Sequence, residues 1–118
     1  MRFASAISES PHLRRAVDEA CRRILEELAG SPCHWVCLFV SPAYQADWDE
    51  ALHAIHEHLR PAVLMGCSGQ SVIGGGREVE STPAVSVFAA HLPEARFYPF
   101  VISPDEVALS SAGGFWVD

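Results

Sequence analysis

The residues best suited to bind a ligand lie between positions 66 and 77. The segment Gly66–Gly76 (GCSGQSVIGGG) contains five glycines among eleven residues, and Arg77 follows it directly. Glycine allows backbone N–H groups to approach an anionic or polar ligand closely, and a guanidinium can hold a carboxylate through two parallel hydrogen bonds. The segment is therefore predicted to be a loop whose ligand contacts come from Gly74, Gly75, Gly76 and Arg77. Glycines that only form tight turns would give the same pattern, so a purely structural loop is the alternative.

Cys67 is a candidate nucleophile because it follows the predicted end of a strand. A thiol there can attack a carbonyl carbon when a histidine activates it, which would make the protein a thiol-dependent hydrolase or acyl transferase. The G-x-S-x-G spacing of a nucleophile elbow is absent from the sequence, and so are a G-x-G-x-x-G fingerprint and a Walker lysine. We therefore expect small-ligand binding without catalysis and without a cofactor, and keep the thiol enzyme as the alternative.

Three other groups contain residue types that could bind a metal ion or transfer protons. They are Cys33, His34 and Cys37 in one segment; Asp49, His53 and His56 on one flank of a predicted helix; and Glu78 and Glu80 on either side of Val79. No second Cys or His pair completes a tetrahedral set around the first group. The second group lies on the polar side of an amphipathic helix, and Arg77 with solvent accounts for the third. No metal site is predicted from them.

Two nearly apolar segments position the candidate ligand residues. The segments are His34–Val40 (HWVCLFV) and Ala62–Met65, and strands this apolar are typical of a parallel sheet buried on both faces. Loops leave the carboxyl ends of both strands, where open α/β sheets bind their ligands. If the two strands are neighbours, the two loops flank one crevice. That places four further residues at the candidate site: Ser41, Tyr44, Cys67 and Ser68.

The remaining segments predict an α/β fold. Hydrophobic period and capping signals give strands at Arg2–Ser8 and Ala84–His91, helices at Pro11–Ala29 and Ala46–Arg60, a returning strand at Ala95–Ile102, and a short helix from Ser103 to Leu109. This order predicts a βαβαβ unit followed by an antiparallel hairpin, all in one mixed sheet. Parallel strands with right-handed crossovers are expected for the βαβαβ unit.

Composition limits the classes of partner. The chain has 118 residues, with 8 arginines and no lysine against 15 acidic residues, for a formal net charge of −7. A duplex-binding surface needs a positive stripe, so neither nucleic acid nor an anionic membrane is an expected partner. No segment has the length and apolarity of a membrane span or of a signal-peptide core, and the four irregularly spaced cysteines are typical of reduced thiols. A cytoplasmic location is therefore expected.

Residues 35–92 resemble the N-terminal part of the FIST domain, a sensory domain of signal-transduction proteins. The matching segments are WVCLFVSPAY (Trp35–Tyr44), PAVLMGCSGQSVIGGGREVE (Pro61–Glu80) and PAVSVFAAHLP (Pro83–Pro93). The resemblance implies binding of a small ligand, such as an amino acid or a small carboxylate, and relay of that signal without catalysis.

The resemblance also bears on the extent of the domain. Domains of this family continue into a larger region, so residues 1–118 are expected to form a single domain that is an incomplete N-terminal portion of the family's domain. A mixed sheet of this kind leaves an edge strand or an apolar face uncovered. We therefore expect a homo-oligomer, most simply a dimer, or docking on the C-terminal remainder of the same domain. A structural fragment whose main role is that docking is a third interpretation.

Overall fold

A four-stranded mixed sheet organises the structure, a computed structural model that describes residues 1–44 and 48–110. Within those residues the elements, in chain order, are β1 (Arg2–Ser8), α1 (Leu13–Leu28), β2 (Trp35–Val40), α2 (Trp48–Leu59), β3 (Val63–Ser68), β4 (Ser71–Gly74), β5 (Arg77–Glu80), β6 (Val85–His91) and α3 (Pro104–Ser110). The main sheet has the order β1-β6-β2-β3, and β4 with β5 forms a separate two-stranded sheet. The predicted α/β class, with a mixed sheet and an antiparallel hairpin, is confirmed, but the hairpin is β4–β5 in a sheet of its own and not a pair of strands at the end of the main sheet.

β6, the last strand of the main sheet in chain order, lies between β1 and β2 in the sheet. β6 pairs antiparallel with both β1 and β2, whereas β2 and β3 pair in parallel. The expected parallel neighbours β2 and β3 are therefore present, but β1 and β2 are separated by β6 and do not form a directly paired unit. The carboxyl ends of β2 and β3 lie side by side, since Val40 is paired with Ser68.

Helices α1 and α2 cover one face of the sheet. The buried residues of α1 recur at the spacing that the sequence predicts, and they are Leu13, Ala16, Val17, Ala20, Cys21, Ile24 and Leu28. They share one apolar core with alternate residues of the strands, such as Val36 and Leu38 of β2 and Val85 and Val87 of β6. This core fixes α1 and α2 on one side of the sheet and leaves the other side to be covered differently.

The helix boundaries differ slightly from the predicted ones. Helix α1 begins at Leu13 after an extended His12 that makes no side-chain cap, so the predicted start at Pro11 is wrong by two residues. It ends where Ala29 and Gly30 take left-handed conformations, with φ angles of 50° and 82°, as expected for a helix that ends at glycine. The predicted start of α2 at Ala46 lies outside the described residues.

The predicted glycine loop is largely strand. β3 continues to Ser68, and β4 and β5 form an antiparallel hairpin that pairs Val72 with Val79. The Gly75-Gly76 turn has positive φ at both residues, 55° and 79°, which is the requirement of a two-residue type I′ turn. Val72 and Val79 point inward and form a second apolar cluster on the face of the sheet opposite the helices.

The predicted returning strand at Ala95–Ile102 is wrong. This segment has no strand pairing, because Pro99 lacks the N–H that a ladder needs. The turn before it is present, with the Ala95 N–H donating to the Leu92 carbonyl oxygen at 3.1 Å. The short helix is confirmed as α3, and its capping box has reciprocal hydrogen bonds between Ser103 and Glu106.

Candidate functional site

A groove opens between helix α2 and the carboxyl-terminal halves of β2 and β3. Its volume is about 340 Å³, and its lining residues are Leu38, Val40, Trp48, Ala51, Leu52, Leu64, Met65, Gly66, Cys67 and Ser68. None of these side chains carries a formal charge, and Ser68 provides a polar side chain at the carboxyl end of β3. Such a groove suits a small molecule with an apolar body and a polar group directed to the strand ends.

Gly66 allows β3 to lie close enough to β2 to form the floor of this groove. A Cβ atom added at Gly66 would lie 1.8 Å from the backbone carbonyl oxygen of Leu38. No side chain fits in that space, so only glycine permits the observed pairing of Leu38 with Gly66. The predicted position of Gly66 in a loop is wrong, since the residue lies within β3, and a close approach between two strands leaves no signal in the local sequence.

Ser41 lies at the end of β2 but is buried. Its N–H donates to the Ala84 carbonyl oxygen at 2.9 Å, and its hydroxyl oxygen accepts a hydrogen bond from the Ala43 N–H at 3.3 Å. Ser41 also borders a small cleft of about 250 Å³ that includes Gln70 and Ser81. Ser41 therefore lies next to the edge of the sheet that carries the groove, and its N–H and hydroxyl oxygen are hydrogen-bonded to backbone groups.

Tyr44 connects the loop after β2 to the chain that precedes α1. Its hydroxyl donates to the Ser10 carbonyl oxygen at 2.6 Å, and its side chain is buried. Burial, together with the charges of Glu19 and Glu9, raises the pKa of the Tyr44 phenol to about 12. The tyrosine lines a different cleft, together with Arg14 and Glu50 among others.

The glycine turn lies at the other side of the sheet from the groove. The Gly75 N–H donates to the Ser5 hydroxyl oxygen at 3.0 Å, and a Cβ at Gly74 would lie 2.6 Å from the Ser86 hydroxyl oxygen. The Arg77 guanidinium forms an ion pair with Glu9. The structure thus brings Cys67 and Ser68 together on β3, and it brings Gly74–Arg77 together beside β1 and β6.

The four thiols differ in exposure and therefore in chemistry. Cys67 is exposed, whereas Cys21, Cys33 and Cys37 are buried. Burial raises the pKa of all three buried thiols, that of Cys21 to about 12. Only the thiolate is nucleophilic, so these three thiols are protonated at neutral pH. Cys67 is therefore the thiol that a reagent in solution can reach.

His34 and Glu78, two of the residues considered for metal binding or proton transfer, are engaged in hydrogen bonds. In residues 1–44 and 48–110, no three His, Cys, Asp or Glu side chains are arranged to hold a metal ion. His34 accepts a hydrogen bond at Nδ1 from the Leu92 N–H at 2.9 Å and lies 5.0 Å from the ring of His91. Glu78 accepts a hydrogen bond from the Ser71 hydroxyl at 2.7 Å.

Comparison with known proteins identifies the family. The FIST N domain model matches residues 34–112, a span that includes β2, β3, the groove and the β4–β5 hairpin. This chain belongs to the FIST N domain family. FIST is a sensory domain family of signal-transduction proteins, and the predicted family resemblance is confirmed.

Relatives of this FIST N domain occur among mycobacterial proteins. The chain is 35% identical over 98 residues to the uncharacterized protein Rv0628c of Mycobacterium tuberculosis, an alignment that covers 83% of this chain and 26% of that protein. It is 32% identical over 90 residues to the uncharacterized protein Mb0898c of Mycobacterium bovis, covering 76% of this chain and 23% of the relative. The chain therefore spans about a quarter of the length of the curated relatives it matches. No helix of the described residues is long and apolar enough to cross a membrane.

Proposed function

We propose that this FIST N domain is a non-enzymatic sensor that binds a small ligand in the groove between α2 and β3. The observation that carries the proposal is the groove itself, which lies at the carboxyl ends of the parallel strands β2 and β3. Ligands of open α/β sheets bind at this position because the strand ends and the loops that follow them converge there. The groove volume of about 340 Å³ suits a metabolite of the size of an amino acid.

The lining of the groove indicates the chemistry of the ligand. Leu38, Val40 and Leu52 provide apolar walls, and Ser68 provides a hydroxyl at the rim. The backbone of Ser68 adds further polar groups. Only alternate residues of β3 form backbone hydrogen bonds with β2, and the backbone N–H and C=O of Ser68 point away from β2. An amino acid with an apolar side chain, or a short-chain carboxylate, matches this combination.

In this proposal the Ser68 side chain and the backbone of Cys67 contact the ligand, and the other predicted residues act indirectly. Ser41 holds the end of β2 in place, and Tyr44 holds the loop that follows. The Gly74–Arg77 turn anchors the hairpin to β1. The ligand-bound state would be transmitted through α2 and β3, because both elements form walls of the same groove.

A thermal-shift screen tests the proposal, since a ligand that binds only the native state raises the unfolding temperature. The panel consists of the natural amino acids and short-chain carboxylates. Leu52→Glu places a charge in the groove and should abolish the shift that the best compound causes. Leu25→Glu is the matched control, because Leu25 on α1 is 43% exposed against 41% for Leu52 and lies outside the groove lining. A shift that survives in Leu52→Glu, or no shift with any compound, contradicts the proposal.

The thiol enzyme is a second function because Cys67 is an exposed thiol near the carboxyl end of β3. A thiol hydrolase would cleave an activated ester or thioester through an acyl-enzyme intermediate on Sγ. Incubation with a chromogenic ester discriminates the two functions. The sensor predicts equal, uncatalysed hydrolysis by the wild-type chain and by Cys67→Ser, whereas turnover that depends on Cys67 establishes the enzyme.

A further inference from the structure

Among residues 1–44 and 48–110, no strand pairs with the outer edge of β3, and that edge carries no charge. β3 is the terminal strand of the main sheet, and its six residues, VLMGCS, include no ionisable side chain other than the thiol of Cys67. The N–H groups of Val63 and Gly69 bond to His34 and Val40 on the β2 side. Because hydrogen bonding alternates along a strand, the polar backbone groups of the even-numbered residues of β3 point outward. A sheet edge of this kind normally carries charges or a cover that prevents pairing.

Exposed apolar side chains flank this edge on both faces of the sheet. On the helix face, Trp48 and Leu52 border the groove and are 39% and 41% exposed. On the other face, Met65 is 55% exposed and lines a second groove of about 610 Å³ with the segment 97–101. We call these side chains, with those of the segment, the β3 band: Trp48, Leu52, Met65, Tyr98, Phe100 and Val101. Apolar patches that are continuous in this way mark interaction sites.

A second copy of the chain complements the β3 band. Two β3 strands that pair antiparallel about a two-fold axis satisfy each other's outward backbone groups and continue the sheet across the dimer. The same axis places the two α2 helices side by side and antiparallel. The first turn of one α2, which holds Asp49, then lies beside the last turn of the other, which holds His56. Opposite ends of two helix dipoles also meet, which is favourable.

The lack of charge on the outer edge of β3 favours a second copy of this acidic chain as the partner. The chain carries a formal net charge of −7, so most surfaces of two copies repel each other. A contact centred on β3 avoids that repulsion, because the strand is uncharged and the helix ends are complementary. We propose that this FIST N domain forms a two-fold symmetric dimer by antiparallel pairing of β3 with the β3 strand of a second copy.

Sedimentation velocity of the ligand-free chain tests the proposal through Met65→Lys. Two lysines would face each other across the two-fold axis, and lysine on a strand edge opposes pairing. We expect a dimer for the wild-type chain and a dissociation constant about a hundredfold higher for Met65→Lys. Ile73→Lys is the matched control, since Ile73 is 69% exposed but lies on the hairpin away from β3. It should sediment as the wild-type chain does.

Two outcomes would overturn the proposed interface. One is a wild-type chain that is monomeric at submillimolar concentration, and the other is a dimer that Met65→Lys leaves intact. Circular dichroism of each variant establishes that the lysine has not unfolded the chain, and Cys67→Arg provides a second edge variant if Met65→Lys fails to fold. The measurement uses no ligand, so its failure is distinct from failure of the proposed sensory function.

Discussion

At the scale of single residues, the glycines of this chain have two different roles. Gly66 provides space, because a Cβ there would overlap the Leu38 carbonyl oxygen. Gly76 allows a left-handed backbone conformation, with φ of 79°, while the space around its Cβ position is open. The sequence shows both as members of one glycine-rich segment. The two roles could not be distinguished from the sequence, since a close approach between strands is visible only after the strands are paired.

Gly66→Ala is expected to lower the free energy of unfolding by about 3 kcal/mol, because β2 and β3 must separate to accommodate the methyl group. Gly76→Ala is the control and should cost about 1 kcal/mol, which is the strain of a left-handed alanine. Urea denaturation monitored by circular dichroism measures both values. Equal losses in the two variants would contradict the role given to Gly66.

Cys67 is expected to be the thiol that iodoacetamide modifies first in the native chain. It is exposed, whereas burial of Cys21, Cys33 and Cys37 raises their pKa values and keeps them protonated. Intact-mass and peptide analysis at slightly alkaline pH should show one added group, located on Cys67. Modification of Cys37 at a comparable rate would show that the face of the sheet opposite the helices is more open than the structure indicates.

At the scale of elements, the strongly periodic segments were predictable and the glycine-rich segment was not. The apolar stripe of α1 and the apolar run of β2 gave correct elements within two residues. The β4–β5 hairpin was missed because its strands have four residues each and glycines dominate the segment. Its signal was nevertheless present, since the alternation around Val72 and Val79 flanks a Gly-Gly pair of the type that a type I′ turn requires.

Truncation of two adjacent hairpin residues should change the stability by very different amounts. Val72 is 3% exposed and packs against the sheet, whereas Ile73 is 69% exposed. Val72→Ala should lower the free energy of unfolding by about 2 kcal/mol, because two buried carbon atoms and their packing are lost. Ile73→Ala should change it by less than about 0.5 kcal/mol. Similar effects at the two positions, measured by urea denaturation, would show that the hairpin does not pack in the described register.

The contact between α1 and α2 predicts a dependence of stability on pH. Burial acts to raise the pKa of Asp18, but hydrogen bonds from His58 at 2.8 Å and Arg14 at 3.0 Å outweigh it and lower the pKa. A lowered carboxyl pKa stabilises the fold above the ordinary value of about 4 and loses that contribution as the pH falls through the folded-state pKa. Asp18→Asn should therefore reduce stability at neutral pH and flatten the loss between about pH 4 and pH 2. Identical acid unfolding profiles for the wild type and the variant would contradict this.

At the scale of the whole molecule, the hairpin and the groove lie on opposite faces of the main sheet. The hairpin is held on the face opposite the helices through Ser5, Glu9 and Ser86, and the β3 side carries the groove and the uncharged strand. The predicted site residues are divided between the two sides, because β6 inserts between β1 and β2 and the hairpin folds back over the opposite face. No local sequence pattern contains that information. The parallel neighbours β2 and β3 could be predicted, and they are the part of the candidate site that the structure retains.

Amide chemical-shift mapping by NMR tests the central claim, that the groove between α2 and β3 is the ligand site. The isotope-labelled chain is titrated with the compound that gives the largest thermal shift. If the ligand binds in the groove, the perturbed amides cluster at Val40, at residues 64–68 of β3 and at the first turns of α2, and Leu52→Glu removes the effect. Perturbations confined to Gly74–Arg77, or to the segment 97–101, would place the ligand elsewhere and contradict the claim.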